Sequence, residues 1–132
     1  HNCAFVKISK AYPLQARRVM HAIWGAGQMA WTKAIVVVDE DVNVHDHEEV
    51  LFHLTANCDP GRDIEIVNGP LDILDHAAPR FGAGHKIGFD ATKKIPGEEV
   101  NGQPVRDFPP ILEMAEHIRQ RVDQRWGEYG VD

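Results

Sequence analysis

Apolar residues recur along this chain at several distinct spacings, and the elements change where the spacing changes. Residues 3–8 open in strand-like alternation, with Cys3, Phe5 and Ile8 as the apolar positions. Tyr12-Pro13 then turns the chain into a helix, with Pro13 tolerated in its first turn. In that helix Leu14, Val19, Ala22 and Ile23 recur at helical spacing, with Arg17 and Arg18 on the other side. It is expected to run to about Trp24, where Gly25 and Gly27 stop it. Ala34 to Val38 is an unbroken run of small or branched apolar residues, the pattern of a strand covered on both faces. Asp46 and Glu49 have the spacing of a capping box, which predicts a second helix over 47–57 with Val50, Leu51 and Leu54 inward. Residues 62–67 alternate Ile64 and Ile66 against Asp63 and Glu65 as a further strand, and Asn68-Gly69-Pro70 reads as a turn. Leu71 to Leu74 is either a short strand or a helical turn.

Residues 76–108 are rich in Gly, Pro and charge and are expected to form a long irregular arm; arms of this length are usually functional or held by a partner. Pro109-Pro110 opens a last helix over 109–126, with Ile111, Met114, Ala115, Ile118 and Val122 on one stripe. It packs either on its own sheet or on a neighbouring chain, and we favour the second. Strands separated by helices at this spacing predict a three-layer α/β/α sandwich with a mainly parallel or mixed sheet, one domain over 1–132.

Composition narrows the function. A chain of 132 residues with 43% apolar residues suits one domain but is small for a complete cofactor-dependent enzyme. A formal charge of -6 with scattered Lys and Arg argues against nucleic acid as a partner. No apolar run approaches the length of a membrane span. Cys3 and Cys58 are far apart and lack CxxC spacing, as expected of reduced thiols in a cytoplasmic protein. Because the chain starts at His1, it is expected to be a piece of something longer.

Two polar segments are candidates for chemistry. Asp39, Glu40 and Asp41 fall at the carboxyl end of the apolar run, where open α/β sheets place ligand crevices. With His45, Asp46 and His47 they offer enough ligands for a hard divalent metal, and a metal-dependent enzyme using Asp39, Asp41 and His45 is one reading. A turn held by Asp39, Asp41 and Asn43, beside a helix capped by Asp46, is the more economical one. The second segment, GAGHKIGFDAT at 82–92, brings glycines and Lys86 together but lacks both Walker and GxGxxG spacing. A loop in which Asp90 and Thr92 satisfy backbone groups explains it equally well. No nucleophile has a supporting base nearby, and Trp24, Trp31 and Trp126 read as core or interface anchors.

Four ordered motifs, YPxxARRVMxxIW, TKAIVVVDEDVN, DPGRDIEIVNGPLDILDHA and GHKIGFDATKKIPGE, resemble the C-terminal domain of UbiD-type decarboxylases over nearly the whole chain. The wording IWGAGQM and NGPLDILDHA is most similar to the menaquinone-biosynthesis branch rather than the ubiquinone enzymes. The resemblance implies a parent enzyme that decarboxylates aromatic acids non-oxidatively. Its N-terminal region would bind prenylated FMN, a divalent metal (Mn or Mg) and K, and supply a Glu-Arg-Glu catalytic set. The present chain would be the lid and oligomerisation domain, inactive by itself, with that flavin-binding domain and further copies of itself as partners. A prenylated substrate would bring it near a membrane surface. By motif position Trp31, Thr32, Leu71 and Ile73 would line the substrate. Family members often carry a basic residue near the positions of Gly27 and Gln28 that approaches the cofactor phosphate. This chain has none there, and Lys86 is a substitute by chemistry alone. A structural oligomerisation module without catalytic contribution is the alternative.

Overall fold

The computed structural model describes residues 2–99, 105 and 108–130. The strands β1 (Cys3–Ile8), β2 (Ala34–Asp39), β3 (Ile64–Pro70) and β4 (Ala83–Asp90) form one mixed sheet in the order β1-β2-β4-β3. β1 and β4 both lie parallel to β2, and β3 closes the sheet antiparallel to β4. Helix α1 (Gln15–Trp24) crosses from β1 to β2, and α2 (His47–Asn57) follows β2.

The unbroken apolar run is explained by its place. β2 is an inner strand, and its side chains divide between two cores. Ile35 and Val37 pack with Ala16 and Met20 of α1, while Val36 and Val38 pack with Val50 of α2 and with Val42 and Ala91. Helices on opposite faces make the expected α/β/α sandwich. Met20 and Trp24 can sit close to the sheet because β4 presents Gly88 beneath them. A Cβ there would overlap the Met20 sulfur and lie 3.2 Å from Trp24 Cη2.

α2 begins where the capping pattern put it, with the Asp46 carboxylate accepting the N–H groups of Glu48 and Glu49 at 3.0 and 3.3 Å. Its inward face differs from expectation: Val50, His53 and Asn57 are buried, whereas Leu51 points to solvent. At the start of α1, Leu14 takes a left-handed backbone (φ 61°) and Gln15 is the first helical residue. The Leu14 N–H donates to Glu98 Oε1 at 3.2 Å.

Three boundaries need correction. Asn68-Gly69-Pro70 is the end of β3, paired with residues 83–85 of β4, rather than a turn. The irregular arm contains β4, an inner strand whose Gly84, Lys86, Gly88 and Asp90 are all buried. Residues 100–104 and 106–107 of that arm lie outside the described residues. Last, the C-terminal helix, α3, spans only Glu116–Gln124 and buries none of its residues, so Ile111 and Met114 precede it.

Candidate functional site

The carboxyl end of the parallel strands, where a ligand crevice is expected, is filled by the protein's own charges. Lys10, just past β1, donates to Thr92 Oγ1 at 2.9 Å, to the Lys93 carbonyl at 3.1 Å and to Glu98 at 2.7 Å. Lys94 donates to the carbonyls of Asp90 and Thr92 at 2.9 and 2.8 Å, and its ammonium lies 3.1 Å from Asp90 Oδ1 and 3.5 Å from Asp63 Oδ1. Arg62 binds Asp63 through two nitrogens at 2.8 and 2.7 Å. Asp90 also takes the Thr92 N–H and hydroxyl, as the structural-loop reading expects. Three cations thus face three carboxylates, and Lys10, Lys94, Asp63, Asp90 and Glu98 are all buried. Buried charges persist only when paired and hydrogen-bonded in this way.

The acidic run after β2 is absorbed by the same loop. Asp39 accepts the Lys93 N–H at 2.8 Å, and burial raises its pKa despite that bond. Asp41 pairs with the Lys93 ammonium at 3.0 Å, which holds its carboxyl below the usual range. Asn43 accepts the His45 N–H, and His47 meets Phe5 edge-on with ring centroids 5.7 Å apart. Asp39 and Asp41 are therefore both engaged by Lys93, while the exposed His45 is tied to the turn only through its backbone N–H. Among the described residues no group of three His, Cys, Asp or Glu side chains is placed to hold a metal ion.

The opposite, amino end of β2 is open. A cleft of about 540 Å3 lies between Cys3, Gln28, Met29, Trp31, Thr32 and Asp72. It adjoins a smaller recess of about 270 Å3 between Trp31, Leu71, Asp72 and Ile73. All four residues singled out as substrate-lining in the sequence, Trp31, Thr32, Leu71 and Ile73, come together here from segments about forty positions apart. One wall is the 3-10 helix Gly27–Trp31 running into β2. It is held by the Trp24 indole N–H, which donates to the Thr32 carbonyl at 3.0 Å, and by the Lys86 ammonium, which donates to the Ala30 carbonyl. The other wall is residues 71–75, a tight turn after β3 in which Asp72 Oδ1 accepts the Leu74 N–H at 2.9 Å. Leu71 is buried because β4 offers Gly84 there, where a Cβ would fall 2.8 Å from Leu71 Cδ1.

Lys86 is not a surface cation. It is 2% exposed, with its ammonium 5.8 Å from the Trp24 ring centroid, and burial lowers its pKa. Of the lining residues only Asp72 carries a formal charge at neutral pH, and it is negative. The cleft therefore does not fit a flavin phosphate; Trp31, Met29, Leu71 and Ile73 give it an apolar side on which a ring could lie, beside the polar Gln28, Thr32 and Asp72. Gln28, noted in the sequence only as a position lacking the family's basic residue, lines the cleft, and Cys3, Met29 and Asp72 join it without having been singled out. At the opening Ile73 is 63% exposed, its neighbour Leu74 is 73% exposed, and Met29 and Trp31 are half-exposed. Trp31 is thus a rim residue rather than a core anchor. Larger hollows lie along α3 and between α2 and residues 108–112, but neither contains any of the residues that the motifs point to.

Residues 1–91 match the family described as 3-octaprenyl-4-hydroxybenzoate carboxy-lyase C-terminal domain. An uncharacterized protein of Archaeoglobus fulgidus is 46% identical over 129 residues, covering 97% of this chain and 26% of that protein. A second, from Aquifex aeolicus, is 41% identical over 132 residues, covering 100% of this chain and 26% of that protein. The chain thus spans roughly a quarter of these relatives. Among solved structures, the UbiD-class enzyme HmfF from Pelotomaculum thermopropionicum in complex with FMN aligns with a TM-score of 0.64 and 31% identity, over 79% of this chain and 23% of that one. Vanillic acid decarboxylase of Sedimentibacter hydroxybenzoicus in closed form shares the fold, with a TM-score of 0.77 at 22% identity over 96% of this chain and 26% of that one.

Proposed function

The chain belongs to the 3-octaprenyl-4-hydroxybenzoate carboxy-lyase C-terminal domain family, and we propose that it is the substrate-facing lid of a non-oxidative decarboxylase of aromatic acids. The observation that carries this reading is the amino-end cleft, where Trp31, Thr32, Leu71 and Ile73 meet inside a rim of exposed apolar side chains. An apolar rim of this kind marks a surface made to be covered. Relatives about four times as long have room in the same polypeptide for a region that would cover it, since this chain is 26% of each.

In this reading prenylated FMN, the divalent cation and potassium are held by that other region, because the cleft has no cation to spare for a phosphate. FMN bound to HmfF is consistent with a flavin in the parent. This chain's contribution is to orient the ring of the acid and keep water from it, which lowers the barrier by positioning and desolvation. We assign the parent to quinone biosynthesis, and to a naphthoate-type acid of the menaquinone branch, on the wording of its IWGAGQM and NGPLDILDHA segments. We place it in the cytoplasm, meeting a membrane only through a prenylated substrate; none of the described helices is long and apolar enough to cross one.

Ile73 is the residue to test, because Leu71 is packed against β4 and its enlargement would disturb the sheet. In the cofactor-loaded parent, Ile73→Trp is expected to change the selectivity between one-ring and two-ring aryl acids about tenfold while cofactor content stays constant. Unchanged selectivity would overturn the assignment.

A second reading, assembly, is supported by α3. Its Ile118 and the following Trp126 and Tyr129 are exposed, and a second copy of the chain would cover them. A monomer by light scattering at micromolar concentration would refute it.

A further inference from the structure

The two walls of the cleft belong to different parts of the chain, and a partly buried ion pair joins them. Lys33 follows Thr32 on the first wall. Asp75 ends the turn that carries Leu71 and Ile73 on the second. The Lys33 ammonium lies 2.8 Å from Asp75 Oδ2 and 3.0 Å from Oδ1. Asp75 Oδ1 also accepts the Ala77 N–H at 3.0 Å, and the backbone of 72–78 closes on itself through Asp75 N–H to the Asp72 carbonyl and Ala78 N–H to the Asp75 carbonyl. The Asp75 side chain is 5% exposed, while that of Lys33 is one-third exposed. The hydrogen bond from Lys33 holds the Asp75 carboxyl below the usual range, and protonating that carboxyl on acidification would weaken the pair.

We infer that Lys33 and Asp75 are positioning residues that set the distance between the Trp31–Thr32 wall and the Leu71–Ile73 wall, and with it the width of acid the parent accepts. The inference rests on the substrate-wall reading above. Neither residue is among those lining the cleft, so their effect on a ligand is transmitted through the walls. Within residues 71–75, Leu71 is buried whereas Ile73 and Leu74 are exposed, and Ala78 and Pro79 lie beside Gly84 of β4 only after the turn has closed. Without the ion pair the outer part of the turn is free to shift, and displacements of about an ångström at a binding wall are enough to change binding and rate substantially.

The test uses the cofactor-loaded, full-length parent. Lys33→Met and Asp75→Asn are compared with Lys33→Arg, which keeps the charge; Asp75→Asn keeps the acceptor for Ala77 and guards against simple loss of the turn. Each disrupting variant is expected to raise KM about tenfold with kcat within roughly threefold, and Lys33→Arg to restore most of it. The ratio of inhibition constants for benzoate and 2-naphthoate should shift about fivefold, a readout that general destabilisation does not move. Independently of turnover, amide exchange at Asp75 and Ala78 should speed up about tenfold or more. A lowered Tm with unchanged KM and inhibition ratio would reduce the pair to a structural role and overturn the inference. Ile73→Trp separates the two failures. If it moves the inhibition ratio while the Lys33 and Asp75 variants do not, only the present inference falls; if it does not, the substrate-wall reading falls and takes the inference with it.

Discussion

Replacing Lys94 with Met tests whether the carboxyl end of the sheet is closed by charge rather than left for a ligand. Met fills nearly the same volume, so the loss is electrostatic. The Lys94 side chain is 1% exposed and its ammonium serves two backbone carbonyls and two carboxylates. After Lys94→Met, Asp63 keeps its two bonds from Arg62, whereas Asp90 keeps the Thr92 donors and a Lys10 ammonium 3.8 Å away. Removing one partner from a buried, hydrogen-bonded charge group costs about 3–5 kcal/mol, and each carbonyl left without a donor costs about 1 kcal/mol or more within that figure. We therefore expect a loss of about 4 kcal/mol, a large share of a domain stability of roughly 5–15 kcal/mol, and a fall in Tm of about 10–20 °C. Lys93→Met is the control. Its ammonium pairs only with Asp41, both half-exposed, so its loss is expected to be about 1 kcal/mol or less. Urea denaturation followed by circular dichroism gives both values, with unchanged m showing that the unfolded reference is the same. A cost for Lys94→Met within 1 kcal/mol of that for Lys93→Met would refute the closed-network reasoning.

Two further outcomes follow from the packing and from the thiols. Gly88→Ala places a methyl group on the buried Met20 sulfur and should destabilise by about 1–3 kcal/mol in urea denaturation, with partial recovery in Gly88→Ala/Met20→Val, since the shorter side chain vacates the space. Cys58 has its thiol pKa pushed up from 9.0 to about 11, chiefly by burial and then by the Asp63 carboxylate. The folded state favours the protonated thiol, so its contribution to stability is whole below about pH 9 and is lost as pH climbs through 11. Iodoacetamide should therefore alkylate Cys58 at pH 8 more slowly in the folded protein than in urea, and equal rates would contradict the assigned environment.

How much of this was legible in the sequence depended on whether a pattern had one physical cause or two. The run Ala34 to Val38 has a single cause, burial on both faces, and its reading as an inner strand holds. Asp46 is equally direct, because a cap needs only its own helix. β4 failed for a reason that is itself structural. Its Gly84 and Gly88 resemble loop glycines, yet they are glycine because Leu71 and Met20 occupy the space a Cβ would need. Close approach and conformational freedom leave the same letter in the sequence, and only the neighbours tell them apart. Lys86 misled similarly: a cation in a glycine-rich stretch suggests an anion, whereas its ammonium serves a carbonyl of the wall it supports. The crevice rule failed for the most general reason. It locates a site by where loops leave parallel strands, but here those loops carry both signs of charge, and the buried cations and carboxylates pair with one another. The opening moves to the amino end, where the chain leaves an apolar surface uncovered. The four residues proposed to line the substrate came from motif resemblance, and they meet at this opening; in the proposed reading another part of a longer protein completes the site, so no complete chemical set need stand on this chain.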